Sequence, residues 1–428
     1  MVREKAILCC NFEALNQLIT NMKKIPFLLL VLFVVISSCK KDDDKVDPKP
    51  EIDYQGKLQT MIDENWAEFA EGKENFPGGY ALQLLSPVGD FFVSTGDLAD
   101  LTNQTHFRTA STTKTYTAAA IMLLQQQGKL NINHFVTDII PVSNEPYLPN
   151  GEDFNIPFKN QISIKLLLQH RAGMFDIINQ DIPDTVNQPY AGTRYCEYIK
   201  ETLGLTHTFT IKETAGIVAV NQLYNSEPDT KFHYSDTGMG LLGLIIERVS
   251  GKRYDQFLAD NFLTPLGLSN TSFPYAGDDI TLPSPFASSY AYFQGESFDV
   301  TEDNVSMHVA EGNMITTPHD LATWMNKLYT GKAGIDYKNV RFYMMDCLPT
   351  YEAHQNYGLG TVFTPELGYG HNGAHIAYFT ASRYDPETDI TFVIYTNVWD
   401  YDILMADFYL EVLNMYAVVY EARDILKK

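Results

Sequence analysis

Cysteine is scarce where a fold could use it. Five cysteines occur in 428 residues, and Cys9, Cys10 and Cys39 fall within the amino-terminal stretch. Cys196 and Cys347 alone remain beyond it. One optional disulfide is possible, but there is no disulfide framework and no C-x-x-C metal pair. Basic charge is also short: 31 Lys and Arg face 53 Asp and Glu, a formal net charge of −22. So acidic a chain argues against nucleic acid as a partner. It says nothing about fold. Long apolar runs are missing too. The stretch Ile25 to Ile36 falls short of the roughly 20 residues a membrane helix needs. No G-x-S-x-G elbow, phosphate loop or internal repeat occurs, so an α/β-hydrolase has no support. What is abundant is core material: 45% hydrophobic residues, with 25 Phe and 26 Tyr. The length fits two or three domains, or one large domain with a subdomain.

The amino terminus reads as a targeting segment. Lys23-Lys24 precede the apolar run, and Ser37-Ser38-Cys39 closes it, the order of a secretory signal. The ending Ile-Ser-Ser-Cys resembles a bacterial lipoprotein lipobox, which implies lipidation at Cys39. Residues 1–21 fit no signal, so translation is expected to start at Met22. Lys40 to Pro50 is rich in charge and proline and reads as a flexible tether. The expected divisions are a signal with lipobox over 1–39, a tether over 40–53 and a globular part over 54–428. The expected location is the bacterial cell envelope, at the outer membrane and facing either the periplasm or the surface, with the lipid as the only membrane contact.

Within the globular part, Leu58, Met61, Ile62, Trp66 and Phe69 repeat at helical spacing and predict a helix over 56–72. Residues 80–85 and 91–95, split by Pro87-Val88-Gly89-Asp90, predict a hairpin. Helices are expected from Ser111 to Gln127, from Ser163 to His170, from the capping sequence Thr210-Ile211-Lys212-Glu213 to about Leu223, from Gly238 to Val249, and after Thr317-Pro318. Strands over 376–384 and 390–397 precede a final helix over about 402–426. Strands at both ends with helices between them give an α+β class: an antiparallel sheet built from both termini, flanked by helices, with a mostly helical subdomain.

One stretch carries chemistry. In Phe107-Arg108-Thr109-Ala110-Ser111-Thr112-Thr113-Lys114, Ser111 and Lys114 stand one helical turn apart on the same face. A hydroxyl beside an amine makes an activated nucleophile. Alone, S-x-x-K is weak, since Ser37 to Lys40 and Ser38 to Lys41 also match. Further on, Tyr234-Ser235-Asp236 places a phenol and a carboxylate at a helix start, and His371-Asn372-Gly373-Ala374 leads into a terminal strand.

This order, Ser-x-x-Lys, Tyr-x-Asp, His-x-Gly, resembles the serine β-lactamase and D-alanyl-D-alanine carboxypeptidase superfamily, and most of all its class C branch. Residues 164–173, 261–268 and 312–321 look like that branch's connecting segments. The resemblance implies an acyl-enzyme on Ser111, no cofactor and a small peptide, amide or ester substrate. Lys114, its pKa lowered by apolar burial, and Tyr234 would move the proton. The Ser111 N–H and, by resemblance, the Ala374 N–H would hold the oxyanion. Gly373 lets substrate backbone lie close.

Two positions depart from the family pattern. Asp236 stands where many relatives carry Asn, and would favour a substrate amine over a carbonyl. His371 stands where β-lactamases usually carry Lys, and attracts a substrate carboxylate less, leaving Asn372 to donate to it. Both point to peptidase or esterase work rather than β-lactam hydrolysis, with a D-Ala-D-Ala carboxypeptidase or D-peptidase first. A promiscuous esterase and a non-catalytic penicillin-binding or sensing module are the alternatives. His371 and His375 lack the glutamate of a zinc motif, so no metal is expected. His170 and His319 read as surface or capping residues.

Overall fold

The computed structural model describes residues 52–350, 355–402 and 408–427. The expected signal segment, Cys39 and almost all of the expected tether lie outside the described residues. The described chain opens with α1 (Tyr54–Phe69), whose N-cap Asp53 accepts from Gly56 N. The predicted hairpin follows as β1 (Tyr80–Ser86) and β2 (Gly89–Ser94). Near the other end come β10 (Gly368–His375), β11 (Tyr378–Asp385), β12 (Ile390–Thr396) and α9 (Phe408–Leu426). β1 pairs antiparallel with β12, Tyr80 opposite Thr396, so the two ends of the chain do share one sheet. Its eight strands run in the order β2-β1-β12-β11-β10-β9-β8-β7, where β7 is Leu348–Pro349, β8 Asn356–Tyr357 and β9 Val362–Thr364. The last three are too short to carry an alternating pattern, and the sequence reading did not find them.

Both faces of the sheet are covered. On one face, Leu58, Ile62 and Trp66 of α1 and Met415, Val419 and Ala422 of α9 pack against Leu82, Phe379 and Ile394. On the other lies the helical part, built around α2 (Lys114–Gln126), in which every residue from Lys114 to Leu124 is buried. Tyr116 of α2 stacks on Trp324 at 3.7 Å between ring centroids, and the Trp324 indole donates to Thr115 Oγ1 at 2.9 Å. Trp324 belongs to α8 (Pro318–Tyr329), capped by Thr317 as expected.

The remaining helices start and stop where their polar residues direct. Ser163 caps α3 (Ile164–Leu168) and Thr210 caps α5 (Ile211–Val220), each side chain accepting an orphan backbone N–H. Between them, α4 (Tyr195–Leu203) went unpredicted. α6 (Asp236–Ser250) ends on Gly251 at φ 70°, the left-handed cap that glycine supplies without strain. α7 (Tyr254–Leu258) follows it. Two small sheets complete the fold. β3 (Phe107–Arg108) pairs with β6 (Ile315–Thr316). β4 (Tyr290–Phe293) lies between β5 (Glu296–Asp299) and β13 (Val398–Asp400). Cys196 and Cys347 are free thiols. Among the described residues no helix is long and apolar enough to cross a membrane.

Candidate active site

Ser111 is positioned by strain and backbone pairing rather than by a regular helix start. β3 holds Arg108 opposite Ile315; then Ala110 turns the chain at φ 48°. A left-handed alanine is costly and persists where the surroundings enforce it, commonly at functional sites. A single 3-10 turn, Ala110–Thr113, leads into α2. The Thr112 and Thr113 hydroxyls donate back to Thr109 O at 3.2 Å and Ala110 O at 2.7 Å, pinning that turn. Ser111 is left facing a cavity of about 500 Å³.

Lys114 donates to Ser111 Oγ at 2.8 Å and to the Glu311 carbonyl at 2.9 Å. Its ammonium also stands 2.7 Å from Asp236 Oδ1 and 3.4 Å from Glu311 Oε2. Burial works to lower its pKa, as expected from the sequence, but Asp236 and Glu311 outweigh burial and the net shift is upward. The lysine is therefore an ammonium at rest. The expectation of an apolar, neutral lysine is corrected: its neighbours are carboxylates.

Tyr234 lines the same cavity as Ser111, and burial first, then Asp236, pushes its phenol well above the usual range. Lys114 Nζ also lies 4.9 Å from the centre of its ring. Asp236 departs from the sequence reading as well. One carboxylate oxygen faces Lys114 and the other accepts from Asn179 Nδ2 at 2.9 Å, so it is not free for a substrate amine. The same Asn179 amide reaches Asp176 Oδ2 at 2.9 Å, bridging two buried carboxylates. Burial, then the Asp236 charge, raises the Asp176 pKa to about 7.

The opposite wall is β10. Its Gly373 passes so close to the nucleophile turn that an added Cβ would strike the Thr109 carbonyl, and Ala374 lines the cavity beside Ser111. His371 faces inward but is not available to a carboxylate. Its Nε2 meets the Tyr357 hydroxyl at 2.9 Å and its Nδ1 meets Asn372 O at 2.5 Å. Burial, then Lys114, holds it neutral, well below the usual histidine range. Asn372 also fails as a carboxylate donor. Successive strand residues point to opposite faces, and its Oδ1 is held on the far side by Arg383 Nη2 at 2.8 Å and by the Tyr416 hydroxyl at 3.0 Å.

The structure thus brings Ser111, Lys114, Tyr234, Asp236, His371, Gly373 and Ala374 together. It adds Glu311, Asp176, Asn179 and Tyr357, which the sequence reading missed. His170 is buried, not a surface or capping residue: Tyr357 OH lies 3.1 Å from its Nε2, and its Nδ1 accepts from Ser235 N at 3.1 Å. His319 is exposed, as expected. The only available signal for Glu311 was a lone carboxylate beside Gly312, one residue ahead of a recognised segment.

A family model, Beta-lactamase, matches residues 93–413. The chain belongs to that family of serine hydrolases. The curated relatives include Protein flp of Staphylococcus aureus (strain MW2), 29% identical over 40% of this chain and 28% of its own. A putative D-alanyl-D-alanine carboxypeptidase of Escherichia coli (strain K12) is 32% identical over 42% of this chain and 35% of its own. The chain therefore spans only about a third of these relatives' length. Among solved structures, D-amino acid amidase from Ochrobactrum anthropi SV3 superposes with a TM-score of 0.68 at 22% identity, over 88% of this chain and 100% of that one. A D-stereospecific amidohydrolase from Streptomyces sp. gives 0.65 at 20% identity, over 80% and 94%. At such identities the likeness is one of fold: the antiparallel sheet with its helices.

Proposed function

We propose that the chain is a serine hydrolase working through an acyl-enzyme on Ser111, and that it cleaves small amides or peptides of D-amino acids bearing a free amino group. The observation that carries the chemistry is the Lys114 ammonium donating to the Ser111 hydroxyl at 2.8 Å, with Tyr234 lining the same cavity. Ser111 Oγ attacks the carbonyl, the Ser111 and Ala374 N–H groups receive the oxyanion, and Tyr234 returns a proton to the departing amine.

The choice of substrate rests on charge. The described lining holds Asp176 and Asp236 but no Lys or Arg, and His371 is neutral. Among the described lining residues a terminal carboxylate, as in a D-Ala-D-Ala peptide, meets no cation. An ammonium has Asp176, whose ionised form it favours. The carboxypeptidase reading is thereby ranked below an amidase or aminopeptidase. The relative named a D-amino acid amidase is consistent with that order.

The test is a panel of D-phenylalanine amide, D-Ala-D-Ala peptides, a penicillin and short acyl esters, assayed with wild type and Ser111→Ala. Normal turnover by Ser111→Ala sinks the mechanism. Preference for the D-Ala-D-Ala peptides sinks the amine reading, and activity on esters alone returns the esterase. We also propose anchoring at Cys39. Intact mass should show a lipidated Cys39 as the first residue, and Cys39→Ser should release the protein from membranes.

A further inference from the structure

We propose that Glu311 stores the proton of Lys114, so that Ser111, Lys114 and Glu311 form a buried relay whose outer end is His308. The inference rests on the acyl-enzyme reading above and adds a residue to it.

The first observation is a surplus of negative charge. Lys114 needs one counter-ion, and Asp236 supplies it at 2.7 Å. Glu311 brings a second carboxylate to 3.4 Å, and both partners are almost wholly buried. Two carboxylates around one ammonium, away from water, are costly unless a proton joins them. A merely structural pair would not require the second acid.

The second observation is where the other oxygen of Glu311 goes. Oε1 meets His308 Nδ1 at 2.5 Å, and His308 is the relay member that reaches solvent, with a quarter of its side chain exposed. Lys114 itself is fully buried, so its protons have no direct exchange with water. The charged and titratable groups facing this chain include Lys114 from α2, Tyr254 from α7, Tyr234 and Asp236 at the start of α6, Tyr357 from β8, His371 from β10, and Asp176 and His170 from the loops beside them. Behind His308 stand His375, at 5.5 Å between ring centres, and Asp303, which lies 2.9 Å from His375 and 3.1 Å from Lys200. Burial, then Asp236, raises the Glu311 pKa, which suits it to accept a proton transiently.

The step balances within the site. A Lys114 Nζ–H bond breaks as Glu311 Oε2–H forms, freeing the lysine lone pair. The Ser111 Oγ–H proton moves to Nζ as Oγ bonds to the substrate carbonyl carbon. When the C–N bond breaks, the leaving amine takes a proton from Lys114, either directly or through Tyr234, whose phenolate the lysine then reprotonates. Glu311 returns its own proton to the neutral lysine so formed. No oxidant, metal or co-reactant is involved. Glu311 acts through Lys114 and touches no substrate atom, so it is a positioning residue.

The test measures Ser111 labelling by a fluorophosphonate, which needs no knowledge of the substrate, from pH 5 to 9. Wild type, Glu311→Gln, Glu311→Asp and His308→Gln are compared, with thermal unfolding of each. Glu311→Gln is expected to lose about a hundredfold or more in maximal labelling rate, within the range of one proton-transfer group, with the half-saturating probe concentration unchanged. Glu311→Asp should recover part of it. His308→Gln removes a cation that favours ionised Glu311, so its acid limb should move to higher pH. A folded Glu311→Gln with the wild-type rate and profile overturns the relay. If that variant does not fold, an unmoved acid limb in His308→Gln overturns it instead. Labelling that persists in Ser111→Ala refutes the acyl-enzyme reading itself, a different outcome from either.

Discussion

Asp236 Oδ1 lies 2.7 Å from Lys114 Nζ, with both side chains out of bulk water. This acid is an internal counter-ion, and it sets how the site responds to pH. Asp236→Asn keeps the Asn179 contact within reach but removes the charge. The Lys114 pKa should fall, because burial then opposes Glu311 alone. Asp236 also raises the Glu311 pKa, and Glu311 must be ionised to take the lysine's proton, so the acid limb of the rate profile should move to lower pH. An unmoved limb would show that Glu311 does not titrate in the rate.

Asp176→Asn tests the choice of substrate. If Asp176 receives a substrate ammonium, kcat/KM for D-phenylalanine amide should fall by about ten- to a hundredfold, the range for a lost charged hydrogen bond. An N-acetylated or ester substrate should change little. Equal losses on both would assign Asp176 to the scaffold.

Tyr357→Phe breaks the line from His170 through Tyr357 to His371 and leaves two buried imidazoles short of a partner. The expected cost is roughly 1–3 kcal/mol, read as a lower urea midpoint at constant slope. No change would mean that water replaces the hydroxyl.

Away from the cleft, Glu411 of α9 is buried with Oε2 unpartnered, and burial raises its pKa to about 7. The unfolded chain has the ordinary, lower value, so between the two the folded state holds the extra proton. Stability therefore declines as pH rises from about 5 to 7 and levels off above that. Glu411→Gln should abolish this decline, with a gain at pH 8 of up to about 3 kcal/mol and little at pH 5. Urea unfolding at both values decides it, and a variant weaker at pH 8 would contradict the assignment.

Gly373→Val should leave the sheet's circular dichroism intact and still suppress fluorophosphonate labelling, because the Cβ displaces β10 from the Thr109 carbonyl. Full labelling would mean that β10 does not complete the oxyanion site.

Much of this fold could be read locally. Ser163, Thr210 and Thr317 cap the helices they precede, and strand patterning at both ends foretold a shared sheet. The nucleophile and its lysine were legible from spacing. What was not legible depends on which distant segment arrives beside them. Lys114 looked apolar because its own helix is apolar; Asp236 and Glu311 come from far along the chain and reverse the sign of its shift. Asn372 is a different case. Period-two alternation alone puts it on the face opposite His371, and attention to the motif's residue types hid that geometry.

The grip of Arg383 and Tyr416 on Asn372 has a further consequence, for time rather than space. The strand that walls the nucleophile is fastened to the last helix, and β1 waits for β12. During synthesis Ser111 and Lys114 emerge early, yet nothing can assemble around them until almost the whole chain exists. Contacts so distant in sequence also form late and slowly. The site as described is thus complete only once β10 and β12 have joined the sheet.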